Sequence, residues 1–220
     1  GIVTATPKLM FNYLRPDLTV LGEGEITAVE LADQLLGRTA KSLESINGIG
    51  YMLEDGSMFL TGSRSSIMDL DSLPFPDLDG FDIETYLSHQ KPNDSLYHYI
   101  SDEPRFYPII SSRGCPFSCT FCYHPLGKKY RSRSVENFIK EVEYVVNKYN
   151  VTNLAIFDEL LSAKRKRLFE ICKRLKGLSR PVRWMCQLRI DILDEELLHE
   201  LKEAGCFIIS YGFESANDDV

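Results

Sequence analysis

The chain has 220 residues, 44% of them apolar, with 25 Lys+Arg against 32 Asp+Glu and a formal net charge of −7. That is enough apolar residue for one large or two small folded domains, and it excludes a wholly disordered chain. The acidic balance argues against a broad phosphate-binding surface, so nucleic acid is not an expected partner. No apolar run approaches the roughly 20 residues of a spanning helix. The start, Gly1-Ile2-Val3-Thr4-Ala5, lacks an export signal, so no membrane span and a cytoplasmic location are expected.

In residues 1–66, short apolar runs alternate with glycine turns. Leu18-Thr19-Val20-Leu21 reads as a buried strand, Gly22-Glu23-Gly24-Glu25 as a turn, and Ala28, Leu31, Ala32 and Leu35 as the apolar face of a helix closed by Gly37. Strand, glycine turn and helix in that order are the grammar of an open α/β sheet, where ligands sit at the carboxyl ends of strands. Ile49–Leu53 and Ser57–Leu60 flank Asp55-Gly56, a two-residue hairpin signal. Residues 67–106 hold Pro74, Pro76, Pro92 and Pro104 among many aspartates and read as a connector. Leu70, Leu73, Phe75, Leu78, Phe81, Ile83 and Tyr86 give it apolar surface with which to strap itself onto its neighbours.

From residue 107 to 220 a βα unit recurs, with apolar runs near 107–112, 154–157, 184–190 and 207–211 alternating with helical patterns. Such alternation predicts a parallel sheet. One helix presents Val135, Phe138, Ile139, Val142, Val145, Val146 and Tyr149 on a single face, and the next presents Leu168, Ile171, Cys172 and Leu175. Ser134, Ser162 and Asp194 are candidate N-caps, and Gly205 is a C-terminal cap before the strand Phe207–Tyr211. The basic runs Lys128, Lys129, Arg131, Arg133 and Lys164–Arg167 read as solvated, helix-leading stretches. The sequence stops one turn after a strand with no covering helix, as a truncated chain would.

Three of the six cysteines, Cys115, Cys119 and Cys122, fall within Gly114-Cys115-Pro116-Phe117-Ser118-Cys119-Thr120-Phe121-Cys122, on the loop leaving the first strand of the repeat. Three thiolates so placed point to metal in a reducing compartment rather than to disulfides. A zinc site with His124 as fourth ligand is one reading, but His124 lies only two residues beyond Cys122 and structural zinc favours paired knuckles. Three cysteines without a fourth can instead hold a four-iron four-sulfur cluster with one iron open to a ligand. Cys172, Cys186 and Cys206 sit singly among apolar residues and read as core.

The Cys-x3-Cys-x2-Cys spacing, with Phe121 before the last cysteine, resembles the cluster motif of the radical S-adenosylmethionine (SAM) superfamily. The resemblance implies cluster ligation by Cys115, Cys119 and Cys122, SAM chelated on the open iron, and Phe121 beside the adenine. It implies that 107–220 are four βα units of a six-stranded partial barrel, (βα)6 and TIM-barrel-like. Asp158 and Glu159 at the end of the second strand would face the SAM amino group. Arg189, on one face of the third strand with Gln187 and Asp191, would pair with the SAM carboxylate or a neighbouring acid, and Glu214 in Tyr211-Gly212-Phe213-Glu214-Ser215 would contact SAM.

Leu21–Thr27, with Gly22, Glu23 and Gly24 as its cofactor-facing turn, resembles the last strand and turn of the Rossmann-like cobalamin (B12)-binding domain fused to many radical SAM enzymes. Residues 1–66 would then be the carboxy-terminal part of that domain. The Asp-x-His-x-x-Gly loop of many such domains is not among His89, His98, His124 or His199. The resemblance implies a cobalamin-dependent methyltransferase, with a radical rearrangement or cyclisation as the alternative and a structural metal-binding protein as the non-enzyme rival. It also implies a small-molecule or natural-product substrate and an electron donor such as flavodoxin or ferredoxin. No residue emerges as catalytic beyond those that would bind the cofactors.

Overall fold

The computed structural model describes residues 1–90, 104–124 and 126–217. They fall into two compact units, one of Gly1–Met68 with Phe117–Lys128, the other of Asp69–Pro116 with Lys129–Val220.

In the first unit, helices α1 (Ile2–Ala5) and α2 (Pro7–Leu14) lead into strand β1 (Leu18–Val20) and helix α3 (Gly24–Leu35). Strands β2 (Ile49–Met52) and β3 (Met58–Leu60) complete a three-stranded sheet of order β1-β2-β3. The expected strand, glycine turn and helix are therefore present, but both pairings in this sheet are antiparallel, with Thr19 opposite Gly50 and Tyr51 opposite Phe59. The departure from the open parallel grammar has a local cause. After α3 the chain returns without crossing over, and the amide of Leu21 donates to the carbonyl of Gly48 at 2.8 Å, fixing β2 against β1. The β2–β3 hairpin is one residue wider than expected. Leu53 donates to Ser57 at 2.8 Å, so Glu54, Asp55 and Gly56 form the loop, and Asp55 Oδ1 accepts the amide of Ser57 at 2.8 Å.

The second unit carries the parallel sheet. Its elements are α4 (Ile83–Ser88), β4 (Phe106–Ile109), β5 (Ser112–Arg113), β6 (Arg131–Ser132), α5 (Val135–Tyr149), β7 (Asn153–Ile156), α6 (Arg165–Lys176), β8 (Arg183–Gln187), α7 (Glu195–Glu203) and β9 (Cys206–Ser210). The order β4-β7-β8-β9 is parallel throughout, which places each strand's carboxyl end on the same edge. Leu154, Ile156, Trp184 and Cys186 from the sheet meet Phe138, Val142, Leu168, Ile171 and Leu197 from the helices in one core. Burying each large side chain is worth about 1.5–3 kcal/mol.

Ser134 caps α5 by accepting the amide of Asn137 at 3.1 Å, and Asp194 caps α7 through Leu197 at 2.8 Å. Ser162 does not cap α6. That helix opens at Arg165 after Lys164, without a side-chain cap, and Ser162 lies buried in the preceding 3₁₀ turn Leu161–Ala163. Gly205 turns the chain from α7 into β9 at φ +87°, where an added Cβ would lie 2.6 Å from the Val182 carbonyl.

From Asp69 on, the described part of the expected connector belongs to this second unit. Leu78 and Leu87 join its core, Asp71 accepts the amide of Ser134 at 2.9 Å, and Asp79 pairs with Lys148 at 2.5 Å. Its remainder, residues 91–103 with Pro92 and His98, lies outside the described residues.

Two basic side chains expected in solvent are inside. Arg131 is 4% and Arg167 9% exposed. The run Lys164–Arg167 therefore splits by helix geometry, because Arg167 shares the inward face with Leu168 and Ile171.

Candidate functional site

Strand β4 delivers the chain to the carboxyl edge of the parallel sheet, and the cysteine loop leaves from there. Past Ile109 the backbone turns at Ser111, forms β5 with Ser112 and Arg113, and passes Gly114 at φ +81° into Cys115. The return limb is β6, which pairs antiparallel with β5 in the register Ser112–Ser132 and Arg113–Arg131.

The three cysteines are reduced thiols, none in a disulfide; Cys115 and Cys119 are half-buried and Cys122 is exposed. The amide of Cys122 donates to the carbonyl of Cys119 at 3.2 Å, a turn that sets these two on one short bend. Phe121 between them is 69% exposed, leaving its ring without a packing role in the core. His124 is half-buried. Among the described residues no three His, Cys, Asp or Glu side chains stand as a ready group for a metal ion, so a preformed zinc site with His124 is not observed. In its chemistry the donor set fits an iron–sulfur cluster: three reduced sulfurs closely spaced in sequence, on a loop that leaves the reactive edge of a parallel sheet.

Asp158 is placed differently from the expectation that it faces a ligand. It is 1% exposed, and its Oδ1 accepts the amide of Ser111 at 2.6 Å. Its Oδ2 accepts the hydroxyls of Ser111 at 2.6 Å and Ser112 at 2.5 Å. Burial pushes its carboxyl above the ordinary range, against the opposing pull of these donors. Asp158 thus ties β7 to the base of the cysteine loop. The adjacent Glu159 is half-buried.

Arg189 and Asp191 do not continue a strand face with Gln187. Strand β8 ends at Gln187 and a 3₁₀ turn covers Ile190–Ile192, so Arg189 folds onto Asp191 in a two-pronged ion pair at 2.9 and 2.7 Å. The pair holds the Asp191 carboxyl below its ordinary range. Glu214 lies just past β9, exposed, with φ +53°.

In the first unit, Gly22 turns at φ +76° and its amide donates to Thr4 Oγ1 at 2.9 Å. Glu23 faces inward instead of outward. It is 9% exposed and its Oε2 accepts the amide of Ile67 at 2.8 Å. Gly24 opens α3 under Val20, whose Cγ1 would lie 3.2 Å from an added Cβ.

Sequence reasoning missed Ser111, Ser112, Arg167, and the buried chain from Tyr107 to Glu141 at 2.8 Å and from Glu141 to Arg133 at 2.5 Å. Two serines directly between an apolar strand and Gly114-Cys115 were the available signal for the first pair. Nothing local marks Glu141 as buried, because its partners lie on other elements.

A parallel α/β sheet whose first strand hands over to a three-cysteine loop has the layout of enzymes that work at the carboxyl edge of their strands. Residues 109–220, more than half of the chain, match the Radical SAM superfamily, and the chain belongs to that family. It is a family of enzymes that use a four-iron four-sulfur cluster and SAM.

The chain is 31% identical over 98% of its length to an uncharacterized methyltransferase of Pyrococcus horikoshii, covering 44% of that protein. It is 32% identical over 91% of its length to an anaerobic magnesium-protoporphyrin IX monomethyl ester cyclase of Rubrivivax gelatinosus, covering 35% of it. The cobalamin-dependent SAM radical enzyme OxsB, solved with aqua-cobalamin and SAM bound, superposes with a TM-score of 0.74 at 22% identity, over 100% of this chain and 31% of that one. That likeness is one of fold. The chain spans less than half the length of the relatives it matches. Among the described residues no helix is long and apolar enough to cross a membrane.

Proposed function

We propose that this chain carries the SAM-cleaving centre of a cobalamin-dependent methyltransferase. The observation that carries the reading is the position of Cys115, Cys119 and Cys122, reduced, on the loop issuing from the first strand of a parallel sheet. In this reading the three thiolates hold a four-iron four-sulfur cluster, which when bound would supply the electron that breaks a carbon–sulfur bond of SAM. Binding would itself draw the three thiolates together, since no preformed metal group exists among the described residues.

The chain's own residues then bind and orient SAM. Glu159 and Glu214 are carboxylates suited to its ammonium group. Arg189, a planar donor already paired with Asp191, suits its carboxylate by exchanging one acid partner for another. Phe121, exposed on the loop, offers an apolar face for the adenine. Asp158 remains in this assignment only as the tie that fixes Ser111 and Ser112 beneath the loop.

The methyl-transfer part rests on the methyltransferase relative along nearly the whole chain, and the cobalamin part on the solved fold. The Gly22–Gly24 turn is the proposed cobalamin contact, with exposed Gly22 as the approach point and Glu23 holding the turn from inside. The cyclase relative supports a second reading, radical-initiated ring closure. In either case the substrate is a small molecule or natural product and the electron comes from a donor such as flavodoxin or ferredoxin.

Anaerobic reconstitution tests the reading. Iron and acid-labile sulfide should bind, Cys115→Ala, Cys119→Ala and Cys122→Ala should each abolish them, and SAM should perturb the electron paramagnetic resonance of the reduced protein. S-adenosylhomocysteine that appears only with added cobalamin would mark methyl transfer. Tight zinc without iron would sink the proposal, and full turnover without cobalamin would leave only SAM cleavage.

A further inference from the structure

The loop that holds the cysteines closes on itself through a short two-stranded neck, and that neck is fastened by a side chain from another element. Its outgoing limb passes Ser111, Ser112 and Arg113, and its returning limb Arg131, Ser132 and Arg133. Besides the β5–β6 pairing, the amide of Arg133 donates to the carbonyl of Ser111 at 3.0 Å. A two-residue ribbon has little stability of its own, because a pair of strands this short forms too few contacts to offset the entropy of ordering it.

Arg167, from the first turn of α6, supplies what the ribbon lacks. Its Nη2 donates to the carbonyl of Ser111 and to that of Arg133, each at 3.1 Å, and its Nε donates to Arg133 at 3.2 Å. Its Nη1 donates to Ser111 Oγ at 3.1 Å, and that hydroxyl in turn donates to Asp158 Oδ2 at 2.6 Å. One guanidinium thus grips both limbs where they meet and reaches the buried Asp158 carboxyl through a single serine. At 9% exposure these bonds are shielded from competing water. The planar fork is what allows it, since a lysine ammonium is a point donor on a flexible stem.

We infer that Arg167 is a positioning residue for the iron–sulfur cluster: it clamps the two ends of the cysteine loop so that the thiolates are presented from a fixed base. The inference rests on the proposed cluster site but concerns residues that touch neither cluster nor SAM. Cys115 lies two residues beyond β5, so slack in the neck passes directly into the position of its thiolate. Groups that orient metal ligands from behind change metal affinity by about 10- to 100-fold when removed.

The test compares the protein with its Arg167→Gln and Arg167→Lys variants after anaerobic reconstitution, reading iron per chain, the rate of cluster loss to an iron chelator, and the resonance of the reduced cluster with SAM. Hydrogen exchange at the amide of Arg133 in the metal-free protein reads the clamp without the cluster. Expected for Arg167→Gln are faster exchange at Arg133, unchanged protection within α5, and chelator loss accelerated about 10- to 100-fold, with a broadened resonance. Arg167→Lys should fall between. If Arg167→Gln does not fold, Arg167→Lys decides by the same readings, since it keeps the buried charge.

Wild-type exchange and chelator kinetics in either variant would overturn the clamp while leaving the cluster assignment intact. Failure of the unaltered protein to bind iron would overturn the cluster and this inference with it, while the Arg133 exchange still reported on the neck.

Discussion

Asp158 Oδ1 accepts the backbone amide of Ser111 at 2.6 Å, across 47 residues of sequence, from a carboxylate that is 1% exposed. The contact joins the end of the second strand of the parallel sheet to the chain just beyond the first. It makes the base of the cysteine loop part of the core.

Ser111→Ala tests how much that base is worth. The substitution deletes the hydroxyl that donates to Asp158 and accepts from Arg167, leaving both buried groups short of a partner. Chemical denaturation should show a loss of about 1–3 kcal/mol. A change within experimental error would mean that the serine bridge carries no stability.

Asp158 also sets a pH dependence. Its folded pKa is raised, burial being the first cause, so the folded state holds this proton more tightly than the unfolded chain does. The contribution is therefore complete below the ordinary carboxylate range and is lost as the pH rises through the raised value. Asp158→Asn has no such proton to lose. The stability of the variant relative to the wild type should therefore increase as the pH rises above the ordinary carboxylate range, measured as denaturation midpoints on a common buffer series. A constant difference would contradict the raised pKa.

Thiol reactivity should separate Cys122 from Cys172 and Cys186. Burial pushes the Cys172 thiol up to about 12, so it carries almost no thiolate at neutral pH, whereas Cys122 is exposed. In metal-free protein, iodoacetamide followed by peptide mapping should label Cys122 first and leave Cys172 and Cys186 unlabelled until denaturant is added.

Gly205→Ala should destabilise by about 1–3 kcal/mol, because its φ of +87° disfavours any side chain and the new Cβ would press on the Val182 carbonyl at 2.6 Å. Thermal unfolding followed by the fluorescence of Trp184 reads this directly. That ring is wholly buried, bonds the Ala204 carbonyl at 2.7 Å and is the chain's single tryptophan. No shift in the midpoint would show that the α7-to-β9 turn relaxes freely around the new methyl group.

The sequence by itself determined what depends on local spacing. The apolar faces of α5 and α6, the caps at Ser134 and Asp194, the four parallel strands and the cysteine triplet all follow from residues within a few positions of one another, where helix and strand periods act. Tertiary structure alone decided partners that are distant in sequence. It turned Asp158 inward to Ser111, folded Glu23 onto Ile67, and drew Arg167 out of an apparently solvated basic run into the core. A carboxylate or guanidinium carries no local mark of burial, because only donors and acceptors brought from other strands can offset the loss of its water. The pairing of β1 was decided in the same way. A strand's own pattern says which residues it buries, but the direction of its neighbour is set by the path the chain takes to return.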